Sequence, residues 1–210
     1  MSEIYPTITG IILAGGRARR MDERDKGLIE LEGQPLIRYA INALSPQVDQ
    51  LMINANRNTE RYGEFGFPVI SDQITGFLGP LAGMAAAIQK SNSDYILSVP
   101  CDTPWVPVDL ANRMFEAIKR EGAELCVAHD GERMHPVFAL INRNRLTSLT
   151  EYLSTGERAV HRWCKQQHLA IADFSDQPNA FINVNTPEEL TAAAEIIKST
   201  AVTKKGRSRL

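Results

Sequence analysis

Paired glycines followed by a cluster of cations are the first residues here whose types and spacing could do chemistry. In Leu13-Ala14-Gly15-Gly16-Arg17-Ala18-Arg19-Arg20-Met21-Asp22-Glu23-Arg24-Asp25-Lys26, a strand-like run ends in Gly15 and Gly16, and Arg17, Arg19, Arg20 and Lys26 follow. Adjacent glycines let the backbone approach a ligand closely and aim successive N–H groups at it. The added cations suit a polyphosphate better than a neutral metabolite. The string is not a Walker P-loop, which requires Gly-Lys-Ser/Thr, and it lacks the third glycine of a dinucleotide fingerprint. A solvated turn is the plain alternative, but such turns seldom combine two glycines and four cations directly after a buried strand.

A second group of polar residues lies at the ends of later apolar runs. Asp102 closes Tyr95-Ile96-Leu97-Ser98-Val99-Pro100-Cys101, and Pro100 and Pro104 restrict the backbone on either side of it. A single carboxylate opposite a polyphosphate loop suits Mg²⁺, which commonly takes one or two carboxylates and fills its shell with phosphate oxygens and water. The competing role for Asp102 is a cap on the following turn. Lys26 offers a point charge to the α-phosphate or a departing pyrophosphate, and Arg20 a planar fork to the β- and γ-phosphates. The plain alternative for Lys26 is a surface salt bridge with Asp25, its neighbour in the chain. Asn54 and Asp72 follow two further apolar runs, and Gly79 precedes a helical pattern.

These residues need elements to hold them. Strands are expected at Ile8–Leu13, Gln50–Asn54, Pro68–Ser71, Tyr95–Val99, Glu124–Ala128 and Pro136–Ile141. Helices are expected at Pro35–Leu44, Pro80–Ser91, Val108–Glu121, Arg145–Ser154, Arg158–His168 and Pro187–Ser199. Strand and helix in regular succession imply βαβ units and a mostly parallel sheet. The fold class is therefore α/β: a single-domain, Rossmann-like three-layer sandwich with a mostly parallel central sheet. In such a sheet ligands bind beyond the carboxyl ends of the strands. Gly15 and Gly16, Asn54, Asp72 and Asp102 are four successive exits of that kind, which argues for one shared ligand.

Several segments beyond the loop carry a family resemblance. They are Asn54-Ala55-Asn56-Arg57, Gly79-Pro80-Leu81-Ala82-Gly83-Met84, Pro100-Cys101-Asp102-Thr103-Pro104-Trp105, His129-Asp130-Gly131-Glu132-Arg133 with His135-Pro136, and Asn183-Val184-Asn185-Thr186-Pro187-Glu188-Glu189-Leu190. With Leu-x-Gly-Gly-x-x-x-Arg-Met and a downstream Lys, they resemble the molybdenum cofactor guanylyltransferases, members of the glycosyltransferase-A-like nucleotidyltransferases. The likeness runs from about Thr7 to about Ile197 and implies a nucleotide-diphospho-sugar transferase-like fold. It implies transfer of GMP from GTP to the terminal phosphate of molybdopterin, or Mo-molybdopterin, with release of pyrophosphate.

On that resemblance Lys26, Arg20 and Asp102 are the catalytic candidates. Leu13, Ala14, Gly15, Gly16, Lys26, Asn54, Asp72, Gly79 and Asp102 contact GTP, and Asp102 holds Mg²⁺. Guanine presents N1–H and N2–H₂ side by side, so the Asp72 carboxylate can accept from both; a turn cap before Gln73 is the other reading. Asn183, Asn185 and Arg158 fall on the acceptor side, although Asn183 and Asn185 could instead brace the turn before the last helix. Asp130-Gly131 reads as a hairpin turn flanked by histidines. The chain departs from the family pattern at Asp22-Glu23-Arg24-Asp25, where glycine is expected. Candidate partners are molybdopterin-synthesis proteins, molybdoenzymes and their chaperones. A cytidylyl- or sugar-nucleotidyltransferase keeps the fold with other substrates, and a non-catalytic nucleotide-sensing or cofactor-delivery protein is the alternative from another class.

Composition narrows the field further. With 210 residues, 43% of them hydrophobic, the chain suits one α/β unit with a full core. One nucleotidyltransferase domain is expected over 1–199, with a nucleotide-binding half at about 7–106, an acceptor-binding half at about 107–199, and a flexible basic tail over 200–210. A formal net charge of −2 argues against nucleic acid as a partner. No run of 18 apolar residues exists to span a membrane, and Met1-Ser2-Glu3-Ile4 lacks a positive n-region, so a cytoplasmic location is expected. Cys101, Cys126 and Cys164 lack metal-ligand spacing, and Cys101 is expected to point inertly into the core.

Overall fold

The first strand, β1 (Ile8–Leu13), has all six residues buried, as a continuous apolar run requires when a strand is covered on both faces. In the computed structural model, which describes residues 6–14, 25–73, 79–177 and 179–207, β1 lies inside a seven-stranded sheet. The remaining strands are β2 (Glu30–Leu31), β3 (Gln34–Pro35), β4 (Gln50–Asn54), β5 (Val69–Ile70), β6 (Tyr95–Pro100), β7 (Leu125–His129), β8 (Met134–Asn142) and β9 (Leu169–Asp173). The large sheet runs β5-β4-β1-β6-β8-β7-β9, and β2 and β3 form a separate hairpin. Only β8 is antiparallel to its neighbours in the large sheet; it returns from β7 and inserts beside β6. The expected mostly parallel α/β sheet is present.

Helices cover both faces. They are α1 (Leu36–Leu44), α2 (Thr59–Gly63), α3 (Pro80–Lys90), α4 (Leu110–Glu121), α5 (Leu146–Ser154), α6 (Val160–Cys164) and α7 (Pro187–Arg207). Ile37, Ala40 and Leu44 of α1 and Leu110 and Met114 of α4 pack on Ile12, Leu97, Val99 and Cys126. On the other face Leu81 and Met84 of α3, Leu149 and Leu153 of α5 and Trp163 of α6 meet Ile11, Leu13, Ile96 and Val127. Alternate residues of one strand thus feed opposite cores, giving the three layers. A third cluster joins Ile29, Leu31 and Leu36 to Val184 and Ala193, and so ties the small hairpin to α7. All three cysteines are buried and unpaired, and burial pushes the Cys101 thiol well above its ordinary range.

The structure also departs from the expected elements. Strand β9 was not expected; its inward residues are Ala170 and Ala172 and its Ile171 faces out, so the strand pattern is weak. Helix α2 and the β2–β3 hairpin were likewise unforeseen. The hairpin turns on Glu32 and Gly33, both with positive φ. Helix α6 is five residues long instead of spanning Arg158–His168. Helix α7 continues to Arg207, so the backbone of the expected flexible tail is helical to that point. Among the described residues no helix is long and apolar enough to cross a membrane.

Helix α3 lies unusually close to the sheet. A Cβ on Gly83 would stand 2.4 Å from Asn54 Oδ1 and 2.7 Å from Leu13 Cδ2. Gly83→Ala is expected to destabilise the fold by ~1–3 kcal/mol through overpacking, despite the better helix propensity of alanine. Gly63→Ala, where a Cβ meets nothing within 4 Å, should instead be neutral or stabilising by up to ~1 kcal/mol. Urea unfolding of both variants checks the pair.

Candidate functional site

Pairing between neighbouring strands continues one step past their ends. Ala55 N donates to Ile70 O at 2.9 Å, Ala14 N to Asn54 O at 2.8 Å, and Cys101 N to Leu13 O at 3.2 Å. The exits of β5, β4, β1 and β6 are thereby held side by side, as the sequence implied. Gly15, Gly16 and Arg20 lie outside the described residues, as do Arg17, Arg19 and the acidic stretch up to Arg24. Leu13 and Ala14 are buried, with Leu13 O and Ala14 N engaged in that pairing.

At the β6 exit Lys26 Nζ stands 3.1 Å from Asp102 Oδ2, with side chains 20% and 9% exposed. The same ammonium donates to Asn185 Oδ1. The segment carrying Asn185 is fixed from three directions. Val184 N donates to Asp102 O at 2.9 Å, and the Val184 side chain is buried beneath it. Thr103 Oγ1 donates to Asn183 Oδ1 at 2.9 Å. Thr186 caps α7: Glu189 N donates to its Oγ1, while the Glu189 carboxylate accepts from Asn185 N and Thr186 N. This reciprocal capping box fixes the backbone from which Asn185 reaches Lys26. Residues 26, 102, 183 and 185 therefore form one cluster drawn from three distant parts of the chain.

Asp102 also answers whether a divalent cation fits. Among the described residues no three His, Cys, Asp or Glu side chains converge on one point. What the cluster does offer is a single carboxylate already facing a cation, the Lys26 ammonium, with the Asn185 amide oxygen on the same ammonium. A hard ion that brings phosphate oxygens and water with it suits such a set.

At the β4 and β5 exits Asp72 is held from both sides. Its Oδ1 accepts from Asn54 Nδ2 at 3.0 Å and its Oδ2 from Asn56 Nδ2 at 2.8 Å, while Asp72 N donates to Asn56 Oδ1 at 2.9 Å. Asn54 is only 4% exposed, and its Nδ2 also reaches Ile70 O at 3.4 Å. Asn54 thus anchors Asp72. Asn56 is the second anchor, which the reading of the sequence did not single out; its i,i+2 relation to Asn54 was the available signal. Gly79, at φ 75°, is the N-cap of α3.

Asp25 does not pair with Lys26. Its carboxylate turns away to Tyr62, Asn58 and Arg57, none of which was a sequence candidate. Arg158 also lies apart from the cluster: its guanidinium donates to Leu153 O and Glu157 O, where it satisfies the end of α5. The expected hairpin turn at Asp130-Gly131 is present. Asp130 Oδ1 accepts from Glu132 N and Arg133 N, and its Oδ2 bonds His135 Nε2 at 2.7 Å. Burial alone would raise the Asp130 carboxyl; the hydrogen bonds from Arg133, His135 and Glu132 outweigh it and hold that group well below the usual carboxylate range. His135 stacks on Phe181 with centroids 4.6 Å apart. Beside this turn a recess of about 500 Å³ is lined by Arg133, His135, Phe181, Asn183 and Asn185, among others. Asn185, on its lining, accepts from the Lys26 ammonium, and the carboxylates of Asp130, Glu132 and Glu189 line it as well.

Comparison with known proteins gives the family. Residues 10–171 match the MobA-like NTP transferase domain family. The chain is 52% identical over 192 residues to the molybdenum cofactor guanylyltransferase of Shewanella loihica, spanning 91% of this chain and 98% of that one. With the Shewanella baltica enzyme of the same name the identity is 54% over 182 residues, 87% of this chain and 93% of the relative. Among solved structures, molybdopterin-guanine dinucleotide biosynthesis protein A from Archaeoglobus fulgidus shares the fold. Its TM-score is 0.76 at 20% identity, over 91% of this chain and 99% of that chain. The chain belongs to the MobA-like NTP transferase family and stands within it among the molybdenum cofactor guanylyltransferases.

Proposed function

We propose that this protein transfers GMP from GTP to the terminal phosphate of molybdopterin, metal-free or carrying molybdenum, and releases pyrophosphate. The observation that carries the reading is the meeting of Lys26 and Asp102 at 3.1 Å, with the same ammonium bonded to Asn185, which lines a recess. The nucleotide half, about 7–106, would bind GTP over the β5, β4, β1 and β6 exits, and the half from about 107 to 199 would bind the acceptor.

Asp72 would read guanine. Each of its oxygens already accepts one amide N–H, and each keeps acceptor capacity for N1–H or N2–H₂ of the base. Gly79, lacking a side chain, would let the base lie against the backbone at the start of α3. Arg20 with the backbone of Gly15 and Gly16 would cover the triphosphate.

A phosphomonoester has its second pKa near 6, so the attacking phosphate of the acceptor is largely ionised at neutral pH and requires no general base. What opposes reaction is repulsion between anions and the need for in-line placement. Lys26 would leave Asp102 for the phosphates as the nucleotide enters, neutralising charge that grows on the departing pyrophosphate. Asp102 would then hold Mg²⁺, which when bound supplies charge neutralisation across the triphosphate. Asn183 and Asn185 would orient the acceptor phosphate from the recess side. Arg158, at the end of α5, would contribute positive charge toward the anionic acceptor only at longer range.

Asp102→Asn should leave the unfolding midpoint nearly intact and lower pyrophosphate release from GTP plus molybdopterin by ~10²–10³-fold; full turnover in a coupled phosphate assay would refute the assignment. Lys26→Ala should cut kcat/KM by a similar factor and shift stability by ~1 kcal/mol, for an ion pair whose side chains are 20% and 9% exposed. Titration with GTP, CTP and UTP in the presence of Mg²⁺ should favour GTP. Asp72→Ala should erase most of that preference, a loss of ~10- to 100-fold for a bidentate contact. Equal binding of CTP by the unaltered protein would point to another nucleotidyltransferase.

A further inference from the structure

Asp25 is a carboxylate with a side chain only 2% exposed, directly before Lys26 in the chain, and the proposed reaction gives it no task. Burying a carboxylate is costly unless donors satisfy it. Here Tyr62 Oη donates to Oδ1 at 2.5 Å, Asn58 Nδ2 to Oδ2 at 3.1 Å, and Arg57 Nε approaches Oδ2 at 3.3 Å. The donors come from the loop after β4 and from α2. Asn58 holds its place with φ 51° and ψ 30°, a left-handed conformation that asparagine tolerates better than most residues. Burial, Cys101 and the Asp25 carboxylate together push the Tyr62 phenol far above its ordinary range, so it remains a donor.

The same hydroxyl meets the next turn of chain. Residues Lys26–Leu28 form a short 3₁₀ turn closed by Leu28 N to Asp25 O and Ile29 N to Lys26 O. Gly27 lies flat on Tyr62: a Cβ there would be 2.7 Å from Tyr62 Oη and 3.3 Å from Cys101 Sγ. Cys101 immediately precedes Asp102. One phenol thus bonds the residue before Lys26 and packs against the residue after it, and that residue also faces Cys101 at the strand end that bears the ionic partner of Lys26. Arg57 answers the charge of Asp25, which leaves Lys26 to Asp102.

We infer that Asp25 and Tyr62 are positioning residues that fix the backbone of Lys26 against the β6 exit, so that only the lysine stem moves between Asp102 and phosphate. The inference rests on the proposed role of Lys26. Tyr62 also fills core volume, but a phenylalanine would fill the same space, so its hydroxyl can be tested separately.

The test compares Tyr62→Phe, Lys26→Ala and the double variant, reading pyrophosphate release from radiolabelled GTP with molybdopterin as acceptor. Tyr62→Phe should lower kcat about tenfold with the GTP KM nearly unchanged, the scale of a small misplacement of a catalytic group. In the Lys26→Ala background the same change should have almost no further effect. Full activity of Lys26→Ala would overturn the proposed reaction itself. An impaired Lys26→Ala, together with a Tyr62→Phe loss that is absent or equally large in both backgrounds, would overturn only the positioning role. Asn58→Gly keeps the left-handed backbone and removes one donor, so it serves as a second variant; it should show a smaller kcat loss in the same pattern. Hydrogen exchange gives an activity-independent readout. The Leu28 and Ile29 amides should gain more exchange in Tyr62→Phe than the core amides of β1 do, and an equal or absent gain there would also refute the inference.

Discussion

The contact between Lys26 and Asp102 joins residues 76 positions apart, and much of the surrounding architecture serves to keep them adjacent. As a source of stability the pair counts for little, because bringing a one-fifth-exposed ammonium and a nearly buried carboxylate together costs both groups hydration that offsets their attraction. Its position is nevertheless fixed by parallel pairing of β1 with β6 and by the bond from Val184 N to Asp102 O. An opposite pair maintained this carefully, at small energetic return, suits a site whose ligand brings both signs. Phosphate can take the lysine while a metal ion takes the carboxylate, and neither group is left buried and alone.

Asp25, Asp72, Asp102 and Asp130 stand near the strand exits, and their partners separate their roles. Asp130 is spent on the amides of its own hairpin and on His135, all within five residues, and so it shapes the turn. Asp25 is saturated from a neighbouring element and braces the backbone. Asp72 is gripped by two amides that fix the plane of its carboxylate yet carry no charge. Asp102 faces the Lys26 ammonium, which the Asn185 amide oxygen shares. A neutral brace preserves the capacity of an acid to accept from a ligand, whereas a fixed cation would compete with that ligand. On this logic Asp72 keeps acceptor capacity that Asp25 and Asp130 have given to fixed partners.

The line of strand exits was legible in the sequence because β1, β4 and β6 are apolar runs that end abruptly in polar residues or glycine. The capping box of α7 was legible for a similar local reason: Thr186, Pro187 and Glu189 have side chains that act within one turn. What escaped was set by contacts remote in the chain. Asp25 beside Lys26 looks like an ion pair, and only the fold brings Tyr62 and Arg57 close enough to claim it. Asn54 resembles a ligand contact until its burial under Gly83 is seen. Strand β9, with alanines on its inward face, carries too little β-propensity to stand out before β7 is there to pair with it.

The reversal at β8 also explains why the two proposed halves cannot be independent bodies. Strand β8 belongs to the second half in sequence, yet it pairs with β6, whose exit carries Asp102. The Asn183–Asn185 segment then returns from beyond β9 and bonds to the backbone of Asp102 itself. An acceptor seated in the recess would therefore be registered to the same strand end as the nucleotide, without a hinge between them. In-line transfer between two anions gains most from fixed relative placement, since the repulsion must be overcome at one short separation. Interleaving the halves through one sheet supplies that fixed placement, and it leaves the lysine stem as the part that must move.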